Sequence, residues 1–85
     1  MSCRQFVTET KIFYQASQTD SNCNGILFVN SGATTVTIDG FTLQPSQSWS
    51  IDGNRDEMLV KTYSFNFGAG AGAQLTVIFK RYVGA

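Results

Sequence analysis

The fold of this chain is decided by residues 34–43, which read TTVTIDGFTL. An Asp-Gly pair between two alternating runs is typical of a two-residue type I′ turn, because both turn residues need positive φ. A turn at Asp39-Gly40 fixes the cross-strand pairs, which are Ile38 with Phe41, Thr37 with Thr42 and Val36 with Leu43. Every apolar residue then lies on one face and every threonine on the other. The stretch predicts a β-hairpin with one buried face.

Outward from this hairpin, alternation with period two recurs and no window has helical spacing. Gly25–Val29 (GILFV) is a continuous apolar run, typical of a central strand covered on both faces. The other predicted strands are Gln5–Tyr14, Ser48–Ile51, Met58–Phe67 and Gln74–Val83. Six or seven strands with short connections predict an antiparallel β-sandwich or small barrel, in one domain spanning residues 1–85.

Turn-forming residues separate the predicted strands. Gln15–Gly25 is predicted to be a surface loop, and Gln44-Pro45-Ser46 breaks the ladder because proline has no amide donor. A second Asp-Gly pair at Asp52-Gly53 precedes a charged, solvated turn at residues 54–57 (NRDE). Residues 68–73 (GAGAGA) are predicted to form a mobile hairpin loop.

The predicted core is thin for a single domain, because 85 residues enclose little volume. Its expected members are Phe6, Ile26, Phe28, Val36, Ile38, Phe41, Leu43, Phe65, Leu75, Val77 and Phe79. Such a domain often gains stability from a partner subunit. A formal net charge of zero also favours association over mutual repulsion.

Composition argues against several classes of function. Six Lys+Arg balance six Asp+Glu, so the chain lacks the basic patch that nucleic-acid binding needs. No apolar run approaches the roughly 20 residues of a membrane-spanning helix. Histidine is absent, which removes the commonest acid-base residue and metal ligand. We expect no cofactor, no metal and no enzymatic activity.

The N-terminal residues contain no continuous apolar stretch of the kind a secretory signal requires. Cys3 and Cys23 are too few for a disulfide framework. Two free thiols in a reducing cytoplasm are the favoured interpretation, and a single bridge between them is the alternative. We therefore expect synthesis in a host cytoplasm without a signal peptide.

Asp20-x-Asn22-x-Asn24-Gly25 matches the opening half of a calcium loop, in which alternating oxygens converge on the ion. The twelfth position, which should be a bidentate Glu, is Ser31. An Asx-rich turn is therefore the favoured interpretation over a calcium site.

The glycines of residues 68–73 resemble a phosphate-binding loop, but that use needs a helix N-terminus after the loop. Here a predicted strand follows. No two carboxylates are placed on neighbouring strands, and the cysteines have no histidine to activate them. These patterns do not indicate catalysis.

Trp49 is the residue best suited to a binding platform, because a tryptophan can stack on a sugar ring or anchor an interface. Gln44, Gln47, Ser48 and Ser50 would supply hydrogen bonds to a sugar. Trp49 and Ile51 share strand parity, so the core is the leading alternative for both.

A resemblance to a known class rests on residues 30–51, and above all on the run VTIDGFTLQPSQSWSI. This run, with the closing Ile78-Phe79-Lys80-Arg81-Tyr82, resembles small all-β virion proteins of tailed bacteriophages over roughly residues 25–83. In those proteins glycine follows the proline, where this chain has Ser46. The resemblance implies a capsid decoration, head-fibre or connector role, with the crAss-like phages among the groups it points to, and location in the virion.

The leading hypothesis is a non-enzymatic structural protein that assembles on copies of itself or on a larger virion lattice. The predicted contact residues are the apolar ones not needed on a single buried face, namely Trp49, Ile51, Met58, Val60, Ile78 and Tyr82. A small carbohydrate-binding module using Trp49 is the alternative. Capture of a partner peptide by an edge strand is a third possibility.

Overall fold

The computed structural model describes residues 5–54 and 56–83, and within that part of the chain every regular element is a β-strand. The strands are β1 (Gln5–Phe13), β2 (Ser17–Asp20), β3 (Gly25–Val29), β4 (Val36–Ile38), β5 (Phe41–Leu43), β6 (Ser48–Asp52), β7 (Thr62–Phe67) and β8 (Leu75–Val83). The predicted all-β fold is confirmed, with eight described strands instead of six or seven.

The strands form two antiparallel sheets of four strands each. Sheet A has the order β1-β8-β3-β6, and sheet B has the order β2-β7-β4-β5. Side chains from both sheets meet in one hydrophobic core, and the chain forms a small β-sandwich. The buried apolar residues are Cys23, Ile26, Phe28, Val36, Ile38, Leu43, Tyr63, Phe65, Leu75, Val77 and Phe79.

The hairpin predicted at Asp39-Gly40 is confirmed. Asp39 has φ 53° and Gly40 has φ 86°, as a type I′ turn requires. The three predicted pairs are formed, with Val36 opposite Leu43 at the open end. Phe41 was expected in the core but is half exposed, because β5 lies at the edge of sheet B. Its ring packs against the indole of Trp49 instead.

Phe6 was also expected in the core, and that prediction is wrong. β1 and β8 pair along nine residues and run past the end of β3, which stops at the pair Gly25–Lys80. Phe6 lies beyond that point, opposite Tyr82, with its ring 5.9 Å from the tyrosine ring. Both rings lie on the outward surface of sheet A, away from sheet B, and no described strand flanks β8 there, so Phe6 remains 56% exposed.

The predicted loop Gln15–Gly25 contains a strand. β2 pairs with β7, and Thr19 in its centre is buried opposite Tyr63. Its sequence SQTD is polar because the strand lies at a sheet edge and turns alternate residues to water. The turn-forming composition of this segment therefore predicted a loop where the structure has a strand.

The strand predicted at Met58–Phe67 is shorter, beginning at Thr62. The ladder with β2 stops at Ser21, whose hydroxyl accepts the Lys61 amide at 2.7 Å in place of a main-chain oxygen. Asn22 then adopts φ 41°, which is incompatible with a strand. A single bridge between Cys23 and Leu59 resumes the pairing. Residues 21–24 are thus the corner where the chain passes from sheet B to sheet A.

Candidate docking surface

The outward surfaces of the two sheets differ in chemistry. The outward residues of sheet B are all polar, namely Gln18, Asp20, Thr37, Thr42, Thr62, Ser64 and Asn66. Several of them bond to one another, as Thr62 Oγ1 does to Asp20 Oδ1 at 2.6 Å. This surface is well suited to face water.

The outward surface of sheet A carries apolar side chains in its centre. Leu27 of β3 lies directly opposite Ile78 of β8, and Val29 lies opposite Thr76. Ile12 of β1 lies on the far side of Thr76 and is 47% exposed. We call Ile12, Leu27, Val29 and Ile78 the outer apolar face. It exists because β3 is apolar at every position after Gly25, so its side chains supply both surfaces of the sheet.

A shallow depression of about 440 Å³ adjoins the outer apolar face above Gly25. Lys80 Nζ and Asp52 Oδ1 form an ion pair of 2.7 Å beside it. A Cβ atom on Gly25 would lie 2.7 Å from Asp52 Oδ1 and 3.3 Å from Lys80 Cε. The ion pair therefore crosses the space that glycine leaves open.

The ion pair keeps both of its groups charged. The hydrogen bond and positive charge of Lys80 lower the pKa of the Asp52 carboxyl. The same hydrogen bond raises the pKa of Lys80. The depression is thus bordered by one fixed charge of each sign, next to apolar side chains.

The six predicted contact residues lie in three different places. Trp49 and Ile51 lie opposite Phe28 and Ile26, on the inner surface of sheet A, and pack against the core. This packing agrees with the core alternative stated for both residues, and because both are only partly buried, their role as contact residues stays a prediction. The ring centroid of Trp49 lies within 6.2 Å of three other aromatic ring centroids, those of Phe28, Phe41 and Tyr63.

Ile78 and Tyr82 do lie on the outward surface of sheet A, where they alternate with the buried Val77 and Phe79. Met58 and Val60 belong to the irregular segment before β7 and are 58% and 73% exposed. These four residues therefore lie on two separate parts of the molecule, and Met58 and Val60 are the most exposed of the six.

Sequence reasoning missed three members of the outer apolar face, Ile12, Leu27 and Val29. The GILFV run carries the signal, although by itself it predicts a strand covered on both faces. Ile26 and Phe28 are covered by sheet B, but Leu27 and Val29 remain half-buried with no layer of the described chain above them. A continuous apolar strand in a two-layer fold indicates an outward apolar surface.

The pattern of a calcium loop does not form a loop. Asp20 lies within β2, and its carboxylate accepts the Thr62 hydroxyl. Asn24 uses its amide oxygen to accept the Tyr82 amide at 2.9 Å and its amide nitrogen to donate to Glu57 O at 2.6 Å. Residues 5–54 and 56–83 contain no group of three or more His, Cys, Asp or Glu suited to a metal ion.

The glycine-rich segment 68–73 joins β7 of sheet B to β8 of sheet A, so it is a crossing between sheets and not a hairpin loop. Gly70 and Gly72 have φ 123° and 87°, which favour glycine. Gly72 O accepts the Ala33 amide at 2.8 Å. Small side chains allow the segment to pack against residues 32–35.

Cys23 carries a free thiol that is fully buried. Burial raises the pKa of this thiol, so it stays protonated and unreactive at neutral pH. Cys3, and with it the possible bridge between the two cysteines, lies outside the described residues.

The fold defines a small β-sandwich in which the outward surface of sheet B is polar and that of sheet A has an apolar centre. No protein-family model, no curated protein and no solved structure matches the chain. Across the described residues, no helix is of a length and hydropathy that could cross a membrane.

Proposed function

We propose that this chain is a non-enzymatic structural protein that acts by assembly, as a minor or auxiliary component of a bacteriophage virion. The observation that supports the proposal most directly is the outer apolar face, where Leu27 and Ile78 lie side by side with no layer of the described chain over them. Burying apolar surface is the main favourable contribution to protein association. The resemblance of residues 25–83 to small phage virion proteins supports the virion as the assembly that this chain joins.

The proposed mechanism is docking of the outward surface of sheet A onto the virion lattice. Leu27, Val29 and Ile78 would supply buried apolar area, and the Lys80–Asp52 ion pair would lie at the polar border of the contact. Interfaces commonly combine an apolar centre with a polar rim. Sheet B, with its polar outward surface, would face solvent.

The carbohydrate-binding alternative finds less support. A stacking platform needs an exposed aromatic face, whereas the indole of Trp49 packs against Phe28, Phe41 and Tyr63. Titration with a broad glycan panel tests the alternative, because the fluorescence of the single tryptophan reports binding at that ring.

The virion role is tested by mass spectrometry of gradient-purified particles from a culture that carries the gene. We expect peptides of this chain in a fixed ratio to the main capsid protein. The double variant Leu27→Thr/Ile78→Thr, which places threonine, a residue that favours strands, at both positions, should no longer join particles. Thr37→Ser/Thr42→Ser on sheet B is the matched control and should join normally. Intact particles without the chain, or normal incorporation of a folded Leu27→Thr/Ile78→Thr variant, would overturn the proposal.

A further inference from the structure

The longest sheet edge of the described chain is β1. It has nine residues, pairs with β8 on one side and has no described strand on the other. Its residues are exposed except Phe13, and Phe6, Val7 and Ile12 are about half exposed. A long edge with apolar side chains offers unpaired main-chain amides and carbonyls to another strand. Proteins that remain monomeric usually shorten or block such an edge.

We infer that β1 pairs with β1 of a second copy, antiparallel and centred on Thr10, so that the two A sheets become one continuous eight-stranded sheet. The inference rests on the proposed function in one respect, namely that the chain acts by assembly. Beyond that function, the inference names a second copy of the chain as the partner, β1 as the strand that pairs and Thr10 as the centre of the register.

Symmetry limits the registers available to such a pair. Residues opposite each other on two strands point to the same face of the sheet. A continuous sheet keeps the inner surfaces of both copies on one side, so inward residues must meet inward residues. The two-fold axis is then perpendicular to the sheet, and one residue of β1 lies opposite itself.

Charge selects among these registers. Glu9 and Lys11 both lie on the inward side of β1, opposite Phe79 and Val77 of β8. Centring on Glu9 would set two carboxylates opposite each other, and centring on Lys11 would set two ammonium groups opposite each other. Centring on Thr10 sets Glu9 of each copy opposite Lys11 of the other. Like charges directly opposite are unfavourable and unlike charges are favourable, so this register is selected.

The neighbouring pairs agree with the register. Centring on Thr10 sets Val7 opposite Phe13 and Thr8 opposite Ile12 of the second copy. It also brings Phe6 level with Tyr14, which is 67% exposed. Apolar and aromatic pairs across strands stabilise a sheet. Each exposed apolar residue of β1 thus meets an apolar or threonine partner.

Inward charges on an edge strand can also serve to prevent pairing. Glu9 already binds Arg81 Nη1 through Oε1 at 2.7 Å, whereas Lys11 has only the Phe79 ring 5.4 Å from its Nζ atom among the contacts of the described chain. In the proposed dimer, Glu9 of the second copy would supply a carboxylate to the Lys11 ammonium group. The pair would also place the two outer apolar faces side by side on one surface of the dimer.

The experiment is cysteine crosslinking with single thiols introduced on the outward side of β1, in a Cys3→Ser background. Opposed Cα atoms of antiparallel strands lie about 4.5–5.5 Å apart, within the range of a disulfide. Thr10→Cys should form a disulfide dimer under mild oxidation. Thr8→Cys and Ile12→Cys, the matched controls, should each fail to crosslink alone but should crosslink with each other when mixed. We expect the favoured combinations to react about tenfold faster, because pairing raises the effective concentration of the two thiols.

Reversal of the Lys11 charge provides the second measurement, by sedimentation across a concentration series. Lys11→Glu sets Glu9 opposite a second carboxylate and should weaken the dimer, whereas Lys11→Arg keeps the opposite charges and the Glu9–Arg81 pair and should preserve it. Circular dichroism and thermal melting verify that each variant folds. Equal crosslinking by all three cysteine variants, or stronger association of Lys11→Glu, would overturn the register.

The outcomes separate the two proposals. A monomer that is still present in purified particles would refute self-pairing and leave the virion role standing. A dimer with the expected crosslinks that is absent from particles would support self-pairing and refute the virion role.

Discussion

The side-chain amide of Asn30 donates a hydrogen bond of 3.0 Å to the main-chain oxygen of Leu43, linking the end of β3 in sheet A to the end of β5 in sheet B. The same nitrogen donates to Thr34 O at 2.8 Å, and the amide oxygen accepts the Gly32 amide at 3.2 Å. Asn30 is 1% exposed, so its polar atoms depend on these protein partners. One buried side chain thus fixes the connection between β3 and β4 against both sheets.

We expect Asn30→Ala to lower the free energy of unfolding by about 2–3 kcal/mol, because it leaves buried main-chain groups without partners. Chemical denaturation monitored by Trp49 fluorescence measures the loss. Asn66→Ala is the matched control, since Asn66 is exposed on sheet B, and its effect should stay within about 0.5 kcal/mol. Equal effects of the two substitutions would contradict the assigned role.

Ser46 occupies a position where glycine is preferred. Gln44 O accepts the Gln47 amide at 3.0 Å, and Ser46 has φ 75°, so residues 44–47 form a type II turn with Pro45 in its second position. We expect Ser46→Gly to raise the free energy of unfolding by about 0.5–1 kcal/mol, because it removes the strain of a left-handed serine.

The control for Ser46→Gly is the same substitution at Ser48, where the chain is an extended strand. Ser48→Gly should lower stability by about 0.5–1 kcal/mol, because glycine loses more conformational freedom there. Destabilisation by Ser46→Gly would show that the turn depends on the serine side chain.

Thr34 Oγ1 is a buried side-chain polar atom without a hydrogen-bond partner among the described residues. Thr34→Val keeps the shape and removes the unpaired hydroxyl, so we expect stability to rise by up to about 1 kcal/mol. Ser21→Ala should lower stability by about 2 kcal/mol, since the Ser21 hydroxyl bonds to Lys61 N at 2.7 Å and to Leu59 O at 2.8 Å. Thermal melting of both variants measures the two changes in stability. A loss of stability greater than about 1 kcal/mol for Thr34→Val would contradict the prediction.

Cys23 should be protected from alkylation in the folded protein. In a Cys3→Ser background, we expect iodoacetamide at pH 8 to modify Cys23 about a hundredfold more slowly in buffer than in denaturant, because the buried thiol must be exposed by opening of the fold before it can react. Mass spectrometry of timed samples measures the rate. Modification at similar rates in both solvents would show that the corner at residues 21–24 is open.

The same burial makes stability depend on alkaline pH. Burial raises the pKa of the Cys23 thiol and of the Tyr63 phenol, so the unfolded chain loses these protons first. Stability is therefore retained below the ordinary thiol pKa and falls as pH rises through and above about pH 9. Cys23→Ala should reduce the slope of unfolding free energy against pH in that range. An unchanged slope would assign the whole dependence to other groups.

Local sequence was sufficient to predict a structural element where the residues of that element specify both its shape and its buried face. The Asp39-Gly40 hairpin is the best example, because the turn and the pattern of burial require the same register. Gly25–Val29 was likewise identified as a central strand by its apolar residues. Polar β2 was missed, because its pairing partner β7 is about 45 residues away and pairing over that distance leaves no local pattern.

The candidate docking surface depended on tertiary structure to a greater extent. Alternation predicted the two faces of β1 correctly, with Phe6 and Ile12 on one and Val7, Glu9 and Phe13 on the other. It did not show that β1 lies at an edge, or that the side with Phe6 and Ile12 faces away from sheet B. Parity placed Trp49 and Ile51 on one side of β6 but did not reveal that sheet B covers this side.

By itself, the sequence determined the all-β class, the central hairpin and most of the core, because turn chemistry and alternating burial act over a few residues. Tertiary structure alone decided which outward surface has an apolar centre, which strand has a free edge and which polar groups are buried with partners. Those properties depend on the order of strands in each sheet and on the contact between sheets, which join residues distant in the chain. The functional proposals rest on that second set of properties.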